Sequence, residues 1–412
     1  MRVLLTTHGC RANQYDSAAV RAMLERAGHE IATDPAAADV AVFNSCAVTA
    51  EAEADLRQAV RRAGRRNPAL RSVVMGCAAA LDRGAIAALP TVTDVVGGAP
   101  LEAIAAVLGI DAAHAAARPG IQGGARALLR IQNGCDEHCT FCATTLARGA
   151  ARSRPAAELV AEATALAAHH AEIVLTGVHI GSYGSDLGSS LGALLEMLVL
   201  SVPAVRFRLS SVEATEVDDR LAELLTGDAR RVAPWLHAPL QSGSDAVLRR
   251  MGRHWYSAAR YAAAVERLAA RASTFGLGAD VIAGFPGERE EDHAETMALV
   301  AGLPFTALHV FSYSERPGTA AARLPGALPR AAALARAAAL RETGEGKAAA
   351  HRRSRAGGAA DLIVLGGAAA REGLTEDHLT VRLRDPAPPR GARVAARLEL
   401  DAGALFARAE AH

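Results

Sequence analysis

Short apolar segments alternate with amphipathic segments over the first 110 residues of the chain. The apolar segments predict strands at residues 3–7, 40–44 and 72–75 and a fourth strand near 92–96. The amphipathic segments predict helices at residues 17–27, 51–64 and 83–88. Strands that alternate with helices in this way are typical of a parallel sheet. Residues 111–125 show neither periodicity and indicate a linker.

A second alternating series begins at residue 126. Its six predicted strands cover residues 127–131, 172–176, 205–210, 236–241, 278–283 and 307–312. Helices are predicted between them at residues 156–168, 191–200, 217–225, 258–272 and 290–301. Six β/α units are fewer than the eight of a closed barrel. The pattern therefore predicts a partial, open (β/α)6 barrel.

The pattern changes again near the C-terminus. A long helix is predicted at residues 330–355, and strand-like alternation follows at 361–365, 379–384 and 392–398. This alternation predicts a small all-β module. The sequence thus indicates an α/β protein with three domains, at residues 1–112, 121–352 and 356–412.

Composition limits where the protein acts and what it binds. The net charge is +1, so the chain as a whole has no field that would attract nucleic acid. The longest apolar runs fall short of the ~18 residues of a membrane helix, and the N-terminal run is too short for a signal peptide. We therefore expect a cytoplasmic protein with no membrane contact. Because thiols stay reduced in the cytoplasm, cysteines that recur in a pattern are candidates for metal binding or catalysis rather than for disulfides.

Three of the six cysteines form the segment Cys135-x3-Cys139-x2-Cys142 directly after a predicted strand. Three thiolates this close in a loop reach one small metal cluster, and thiolates favour zinc or iron–sulfur. Structural zinc takes four ligands, and a 4Fe–4S cluster normally takes four cysteines. Three thiolates therefore leave one metal position open, as in a catalytic site. The alternative is three buried core cysteines.

The other three cysteines are far apart in sequence but share one position. Cys10, Cys46 and Cys77 each follow the end of a predicted strand, and each is preceded by glycine or serine. The carboxyl ends of parallel strands meet at one edge of a sheet, where ligand sites lie. We therefore expect these cysteines to converge on a second cluster. Small apolar residues at strand ends are the alternative.

These segments resemble a known family. The loop at residues 134–142 resembles that of the radical S-adenosylmethionine superfamily, and the strand-end cysteine segments resemble its methylthiotransferase branch. Further segments that resemble this branch are residues 176–184, 210–213, 241–244 and 280–288. The resemblance covers about residues 1–350, and residues 9–13, 179–184 and 311–320 are most similar to the MtaB type of the branch.

The resemblance implies cofactors and residues that bind them. It implies a 4Fe–4S cluster on each cysteine set, with S-adenosylmethionine bound at the open iron of the loop cluster. Phe141 would flank the adenine of the cofactor, although a core aromatic is the alternative. Residues at strand ends would bind the rest of the cofactor: Thr176, Gly177, Ser211, Glu213, Gln241, Ser242 and Gly284. Glu213 has the alternative of capping the next helix.

The resemblance also implies a reaction. A deoxyadenosyl radical would remove hydrogen from carbon 2 of N6-threonylcarbamoyladenosine at position 37 of tRNA, since that carbon offers nothing to acid–base catalysis. Sulfur would come from the strand-end cluster, and a second S-adenosylmethionine would supply the methyl group. The partners would be the tRNA anticodon stem-loop and an electron donor such as flavodoxin or ferredoxin.

Contacts with substrate are predicted at four arginines: Arg148, Arg152, Arg154 and Arg316. The resemblance further implies a C-terminal RNA-binding β-barrel of the TRAM type. Residues 356–412 are few, however, and hold seven arginines against eight acidic residues. Since an RNA-binding surface needs local positive charge, we expect a degenerate module. Residues 143–146 also depart from the family pattern, which usually has apolar residues and a proline there.

Two other functions remain open at this point. A sister enzyme methylthiolates an aspartate of a ribosomal protein with the same two clusters. A non-catalytic iron–sulfur electron carrier belongs to another class, but it would saturate its irons with four cysteines and would not need a β/α barrel.

Overall fold

The computed structural model describes residues 1–47, 50–116, 119–366 and 371–410. The chain forms two compact units. The first unit comprises residues 1–122, 132–152 and 314–322, and the second comprises residues 123–131, 153–313 and 323–412. All six cysteines therefore belong to the first unit.

A five-stranded parallel sheet forms the centre of the first unit. Its strands are β1 (Arg2–Thr7), β2 (Glu30–Ala32), β3 (Val40–Ser45), β4 (Arg71–Gly76) and β5 (Val92–Gly97). Their order across the sheet is β2-β1-β3-β4-β5. Successive residues of β3 and β4 alternate between two cores, with Val42 and Val73 in one and Phe43 and Val74 in the other. The predicted parallel sheet is confirmed.

The described residues of this unit form five α-helices. They are α1 (Arg11–Arg26), α2 (Ala50–Arg66), α3 (Cys77–Ala80), α4 (Leu101–Leu108) and α5 (Thr144–Arg148). Helix α1 begins six residues earlier than predicted, because polar residues in its first turns are buried against the sheet edge instead of facing solvent. Helix α4 was missed, and the predicted linker includes a short 3₁₀ helix, Ala112–Ala116.

The prediction of a helix at residues 83–88 is wrong. This segment forms turns in which the Asp82 carboxylate accepts hydrogen bonds from the backbone N–H groups of Ile86 at 2.9 Å and Ala87 at 3.3 Å. Gly84 adopts a φ of 100° within it. A side chain that binds nearby backbone in this way competes with helix formation.

Six parallel strands form the barrel of the second unit. They are β6 (Ala127–Arg130), β9 (Glu172–Thr176), β10 (Arg206–Leu209), β11 (Trp235–His237), β12 (Gly276–Ala283) and β13 (Ala307–Ser312). Strands β6, β9 and β10 form one sheet and β11, β12 and β13 another. A bridge between Ser211 and His237 joins the sheets. The predicted run of six β/α units is confirmed. The two-residue strands β7 (Gln132–Asn133) and β8 (Arg152–Ser153) flank the cysteine loop in sequence.

Helices of the second unit pack their apolar faces on these strands. They are α6 (Ala156–Ala167), α7 (Leu191–Ser201), α8 (Asp219–Thr226), α9 (Asp245–Arg250), α10 (Ala258–Ala269), α11 (Glu290–Gly302) and α12 (Arg330–Arg355). Of these helices, α9 was not predicted. Among the described residues, no helix has both the length and the apolar character needed to cross a membrane.

The C-terminal module is a closed five-stranded barrel. Its strands are β14 (Ala359–Val364), β15 (Glu372–Leu374), β16 (Thr380–Leu383), β17 (Arg393–Asp401) and β18 (Ala404–Ala409). The predicted small all-β module is therefore confirmed, and the expectation that its RNA binding is weakened stays a prediction. The prediction missed β15, which is too short to show alternation, and β18.

Candidate functional site

The strand-end cysteines lie at one edge of the parallel sheet. Cys10, Cys46 and Cys77 follow β1, β3 and β4, which are neighbours in the sheet. A Cβ atom on Gly9 would lie only 2.7 Å from the Cys46 Cβ, so a glycine is required where the first cysteine segment approaches the second. The topology thus brings together three residues that are 36 and 31 positions apart in the chain.

These three thiols differ in environment. Cys10 is exposed, whereas Cys46 is 4% and Cys77 is 8% exposed. Burial raises the pKa of the Cys77 thiol, although the nearby Arg148 guanidinium acts in the opposite direction. Because metals bind the thiolate, this cation favours the form of Cys77 that a cluster needs.

Two asparagines hold the strand ends together. The Asn13 amide donates to the Asn44 Oδ1 atom at 3.1 Å and to the Ser45 carbonyl at 2.8 Å. The Asn44 amide donates in return to the Asn13 carbonyl at 2.8 Å and to the Ser17 hydroxyl at 3.0 Å. Sequence reasoning missed this network. Its only signal was that an asparagine stands close to Cys10 and another close to Cys46.

Backbone hydrogen bonds hold the loop that carries Cys135, Cys139 and Cys142 in place. The Cys135 N–H donates to the Gly149 carbonyl at 3.0 Å, and the Cys142 N–H donates to the Cys139 carbonyl at 3.0 Å. A Cβ atom on Gly134 would lie 1.9 Å from the Ala150 carbonyl oxygen, so only glycine permits this approach. All three cysteines are partly exposed and therefore accessible to a ligand.

The Cys142 sulfur also accepts a hydrogen bond. The N–H of Thr144 lies 3.3 Å from it, at the start of α5. Hydrogen bonds to ligating sulfurs are among the means by which proteins set the potential of an iron–sulfur cluster. The segment at 143–146, where the sequence departs from the family pattern, thus begins with a contact to a loop cysteine.

The donor chemistry of both cysteine sets fits an iron–sulfur cluster. Each set offers three cysteine sulfurs, and thiolates favour iron–sulfur clusters or zinc. Structural zinc takes four ligands, whereas a 4Fe–4S cluster held by three cysteines keeps one iron open.

Arg148 connects the cysteine loop to the strand-end cysteines. Its Nε atom donates to the Cys77 sulfur at 3.2 Å, and its Nη2 atom donates to the Asp16 carboxylate at 2.8 Å. Asn13 and Asn133 accept further hydrogen bonds from it at 2.9 and 3.0 Å. The Arg148 side chain is 3% exposed. Burial opposes its charge, but Asp16 and Cys77 outweigh burial and raise the pKa of Arg148.

Replacing Arg148 with methionine is expected to lower the midpoint potential of a cluster bound to Cys77. Loss of a charge-assisted hydrogen bond worth about 1.5–3 kcal/mol corresponds to a shift of at most about 65–130 mV for one electron. A redox titration followed by electron paramagnetic resonance measures it, in a Cys139→Ala background that keeps only the strand-end cluster. Arg152→Met, at an exposed arginine, is the control. Equal potentials in both variants would contradict the assigned contact.

The other three predicted substrate arginines are placed differently. Arg152 is exposed. Arg154 donates to the Glu162 carboxylate at 2.7 Å and to the Arg130 carbonyl at 2.9 Å. Arg316 is 4% exposed and forms an ion pair with Glu53. Arg154 and Arg316 are therefore already bound to other protein groups. Phe141, which was predicted to flank the cofactor, is partly buried.

The predicted cofactor residues of the second unit follow the carboxyl ends of its strands. Thr176 is the buried last residue of β9, Gly177 follows it, and Ser211 is exposed after β10. Glu213 is buried and paired with Arg253. Burial raises the pKa of Glu213, and Arg253 opposes that increase only in part.

The remaining predicted residues lie after β11 and β12. Gln241 has a φ of 64°, and its N–H donates to the Asp280 carbonyl at 2.8 Å. The Ser242 hydroxyl lies 3.3 Å from that of Thr296. A Cβ atom on Gly284 would lie 2.3 Å from the Ala333 Cβ, so this glycine is needed for packing.

Two histidines that lie at or shortly after strand ends pair with carboxylates. The His179 Nε2 atom lies 2.8 Å from Glu216, and the His237 Nε2 atom lies 3.1 Å from Asp280. These pairs were not predictable, because residues 37 and 43 positions apart meet only in the folded sheet.

Comparison with known proteins identifies the family. A sequence profile described as "Uncharacterized protein family UPF0004" matches residues 2–98, and one described as "Radical SAM superfamily" matches residues 129–300. The threonylcarbamoyladenosine tRNA methylthiotransferase MtaB of Rickettsia prowazekii is 35% identical over 360 residues, which cover 84% of this chain and 83% of the relative. The MtaB of Bacillus subtilis is 36% identical over 78% of this chain and 75% of its own length.

Further relatives widen the comparison. The tRNA-2-methylthio-N(6)-dimethylallyladenosine synthase of Parafrankia sp. is 35% identical over 92% of this chain and 81% of its own length. Among solved structures, the radical S-adenosylmethionine methyltransferase TsrM of Kitasatospora setae aligns with a TM-score of 0.58 at 16% identity, over 78% of this chain and 77% of that one, which shows the fold alone. The chain belongs to the radical S-adenosylmethionine methylthiotransferase family, whose members are transferases that use 4Fe–4S iron–sulfur and S-adenosylmethionine cofactors.

Proposed function

We propose that the protein converts N6-threonylcarbamoyladenosine at position 37 of tRNA to its 2-methylthio derivative, with two 4Fe–4S clusters and two molecules of S-adenosylmethionine. The observation that supports this most is the presence of two separate three-cysteine sets in one compact unit, linked through Arg148. The names of relatives that are 33–36% identical support the substrate.

The two cysteine sets would have different roles. Cys135, Cys139 and Cys142 would hold the cluster that supplies an electron to S-adenosylmethionine, and Cys10, Cys46 and Cys77 would hold the cluster that supplies sulfur. The protein holds these sites and keeps Cys46 and Cys77 away from water. Strand-end residues from Thr176 to Gly284 would orient the cofactor in the barrel, as the family resemblance implies.

The enzyme would bind the anticodon stem-loop of tRNA. A flavodoxin or ferredoxin would be its electron donor. We assign residues 1–112 to the domain of the strand-end cluster, 121–352 to the radical core and 356–412 to the TRAM-like barrel. Several barrel arginines form ion pairs with acidic neighbours, such as Arg371 with Asp385 at 2.6 Å and Arg408 with Glu399 at 3.1 Å. Binding of tRNA through the barrel would require these arginines to exchange carboxylate partners for phosphates.

Nucleoside analysis of tRNA tests this function. A host strain that lacks its own threonylcarbamoyladenosine methylthiotransferase is expected to regain 2-methylthio-N6-threonylcarbamoyladenosine when it expresses this chain. A Cys139→Ala variant is the matched negative control, because it lacks one ligand of the loop cluster. Mass spectrometry of digested tRNA measures the product.

Other outcomes would identify a different substrate. Relatives named as tRNA-2-methylthio-N(6)-dimethylallyladenosine synthases are also similar over most of the chain. If the strain gained 2-methylthio-N6-dimethylallyladenosine instead, the chain would be assigned to the reaction of those relatives. Methylthiolation of a ribosomal protein with unchanged tRNA would assign it to the aspartate-modifying sister enzyme. No deoxyadenosine from the anaerobically reconstituted, dithionite-reduced protein would favour an electron carrier.

A further inference from the structure

Three possible metal ligands meet on adjacent strands of the barrel. They are His237 at the end of β11, Asp280 in β12 and His309 in β13, and their ligand atoms all lie within 4.8 Å of one another. The His237 Nε2 atom lies 3.1 Å from Asp280 Oδ1, and the His309 Nδ1 atom lies 3.3 Å from the same oxygen.

The strand register explains this meeting. Asp280 lies directly opposite His309, and His237 lies opposite Gly278, two residues before Asp280. Residues two apart on a strand share a face, so all three side chains project from the same side of the sheet. A Cβ atom on Gly278 would lie 2.6 Å from the Trp235 ring and 3.0 Å from His237 Nδ1. The missing side chain therefore makes room for the imidazole.

The strand that carries Asp280 is packed in the core, and one side of the three-residue group is exposed to solvent. On the opposite face of β12, Leu277, Ala279 and Val281 are buried in the main core and hold the strand in place. The His237 and Asp280 side chains are 10% and 27% exposed, whereas that of His309 is 62% exposed. A ligand can therefore approach from the His309 side.

We propose that His237, Asp280 and His309 bind a divalent transition-metal ion, with Zn²⁺ as its simplest occupant. Both imidazole nitrogens converge on one carboxylate oxygen. Ligands about 2.0–2.2 Å from a common ion lie just over 3 Å from each other. Each histidine nitrogen lies at such a distance from the Asp280 oxygen, and the two nitrogens lie within 4.8 Å of each other. Two imidazoles and one carboxylate suit zinc or iron(II) better than magnesium or calcium.

This site is chemically distinct from the cysteine sets. It contains no sulfur, and three protein ligands leave at least one coordination position for an oxygen atom of water or of a bound molecule. An ion at this position acts as a Lewis acid and as an anchor for an oxygen-bearing group. The inference does not depend on which molecule is methylthiolated.

X-ray absorption at the zinc edge tests the proposal directly. The full chain with both clusters reconstituted is equilibrated anaerobically with one equivalent of Zn²⁺. Because the method is element-specific, the iron of the clusters does not interfere. Nitrogen and oxygen ligands at about 2.0–2.2 Å are expected, whereas zinc that has entered a cysteine site would show sulfur at about 2.3 Å.

Variants connect the zinc to these residues. His309→Ala and Asp280→Asn are each expected to weaken zinc binding at least about 100-fold in a chelator competition, since even residues outside the ligand set change metal affinity 10–100-fold. His309 is largely exposed, so its replacement preserves the fold. His351→Gln is the control, because His351 pairs with Asp377 at 2.9 Å but belongs to no group of three ligands among the described residues.

The outcomes separate this proposal from that of the enzyme's function. One zinc with nitrogen and oxygen ligands, lost in both variants and retained in the control, supports the site. Zinc bound only through sulfur, or unchanged affinity in His309→Ala, overturns it. Equal iron content in all proteins shows that the clusters are unaffected, so failure of the zinc site leaves the methylthiotransferase assignment as it was.

Discussion

Replacing Cys46 with alanine is expected to abolish methylthio transfer while S-adenosylmethionine is still cleaved. Cys46 is buried at a strand end, in a cysteine set that is separate in sequence from Cys135, Cys139 and Cys142. The variant should lose one cluster and retain about four of about eight irons per chain. Formation of the methylthio nucleoside should fall at least about 10⁴-fold, as when an essential catalytic group is removed. Deoxyadenosine should still form in the presence of dithionite.

The matched variant is Cys139→Ala, which removes a ligand from the loop set. It should also retain about four irons per chain but form neither deoxyadenosine nor methylthio product. The two variants therefore have the same iron content and opposite deoxyadenosine yields. If Cys46→Ala also formed no deoxyadenosine although its loop cluster was intact, the division of roles between the two sets would be wrong.

The order of elements was predictable because strand and helix periods differ clearly in this sequence. Every strand of the β/α barrel and helix α12 were predicted, most with bounds within two residues. The failures occurred where local side-chain chemistry overrides periodicity. Asp82 binds the backbone of the segment predicted as a helix, and Asn13 and Asp16 are polar residues buried in the unpredicted start of α1.

The candidate site was predictable only in part for a similar reason. Position at the end of a strand identified Cys10, Cys46 and Cys77, since the edge of a parallel sheet gathers such residues without any local motif. The partners of Arg148 were not predictable, because Asp16 lies 132 residues away and Cys77 lies 71 residues away. Their proximity depends on packing between elements that no sequence period encodes.

Replacing Glu172 with glutamine is expected to destabilise the second unit by about 3–5 kcal/mol, the cost of leaving buried charges without a partner. Glu172, Arg206 and Arg208 have fully buried side chains, and the carboxylate lies 2.6 Å from Arg206 Nε and 2.8 Å from Arg208 Nε. The same arginines donate to backbone carbonyls of the C-terminal barrel, including that of Asp361 at 2.8 Å. Loss of Glu172 should therefore also loosen the barrel. Thermal and denaturant unfolding of the variant measure the change.

The pH dependence and a control separate this buried cluster from an ordinary ion pair. Burial opposes ionisation of Glu172, but Arg208 and Arg206 outweigh it and hold its pKa far below the ordinary 4.5. A carboxyl group whose pKa is lower in the folded than in the unfolded protein stabilises the fold at pH values above its unfolded-state pKa. This stabilisation is lost as the pH falls towards the folded-state pKa. The stability difference between the wild type and Glu172→Gln should thus be constant above about pH 5.5 and narrow below pH 4.5.

Glu158→Gln, at a half-exposed carboxylate 3.9 Å from Arg154, should cost less than about 1 kcal/mol at any pH. A loss of similar size in both variants would mean that the cluster contributes no more than a surface pair.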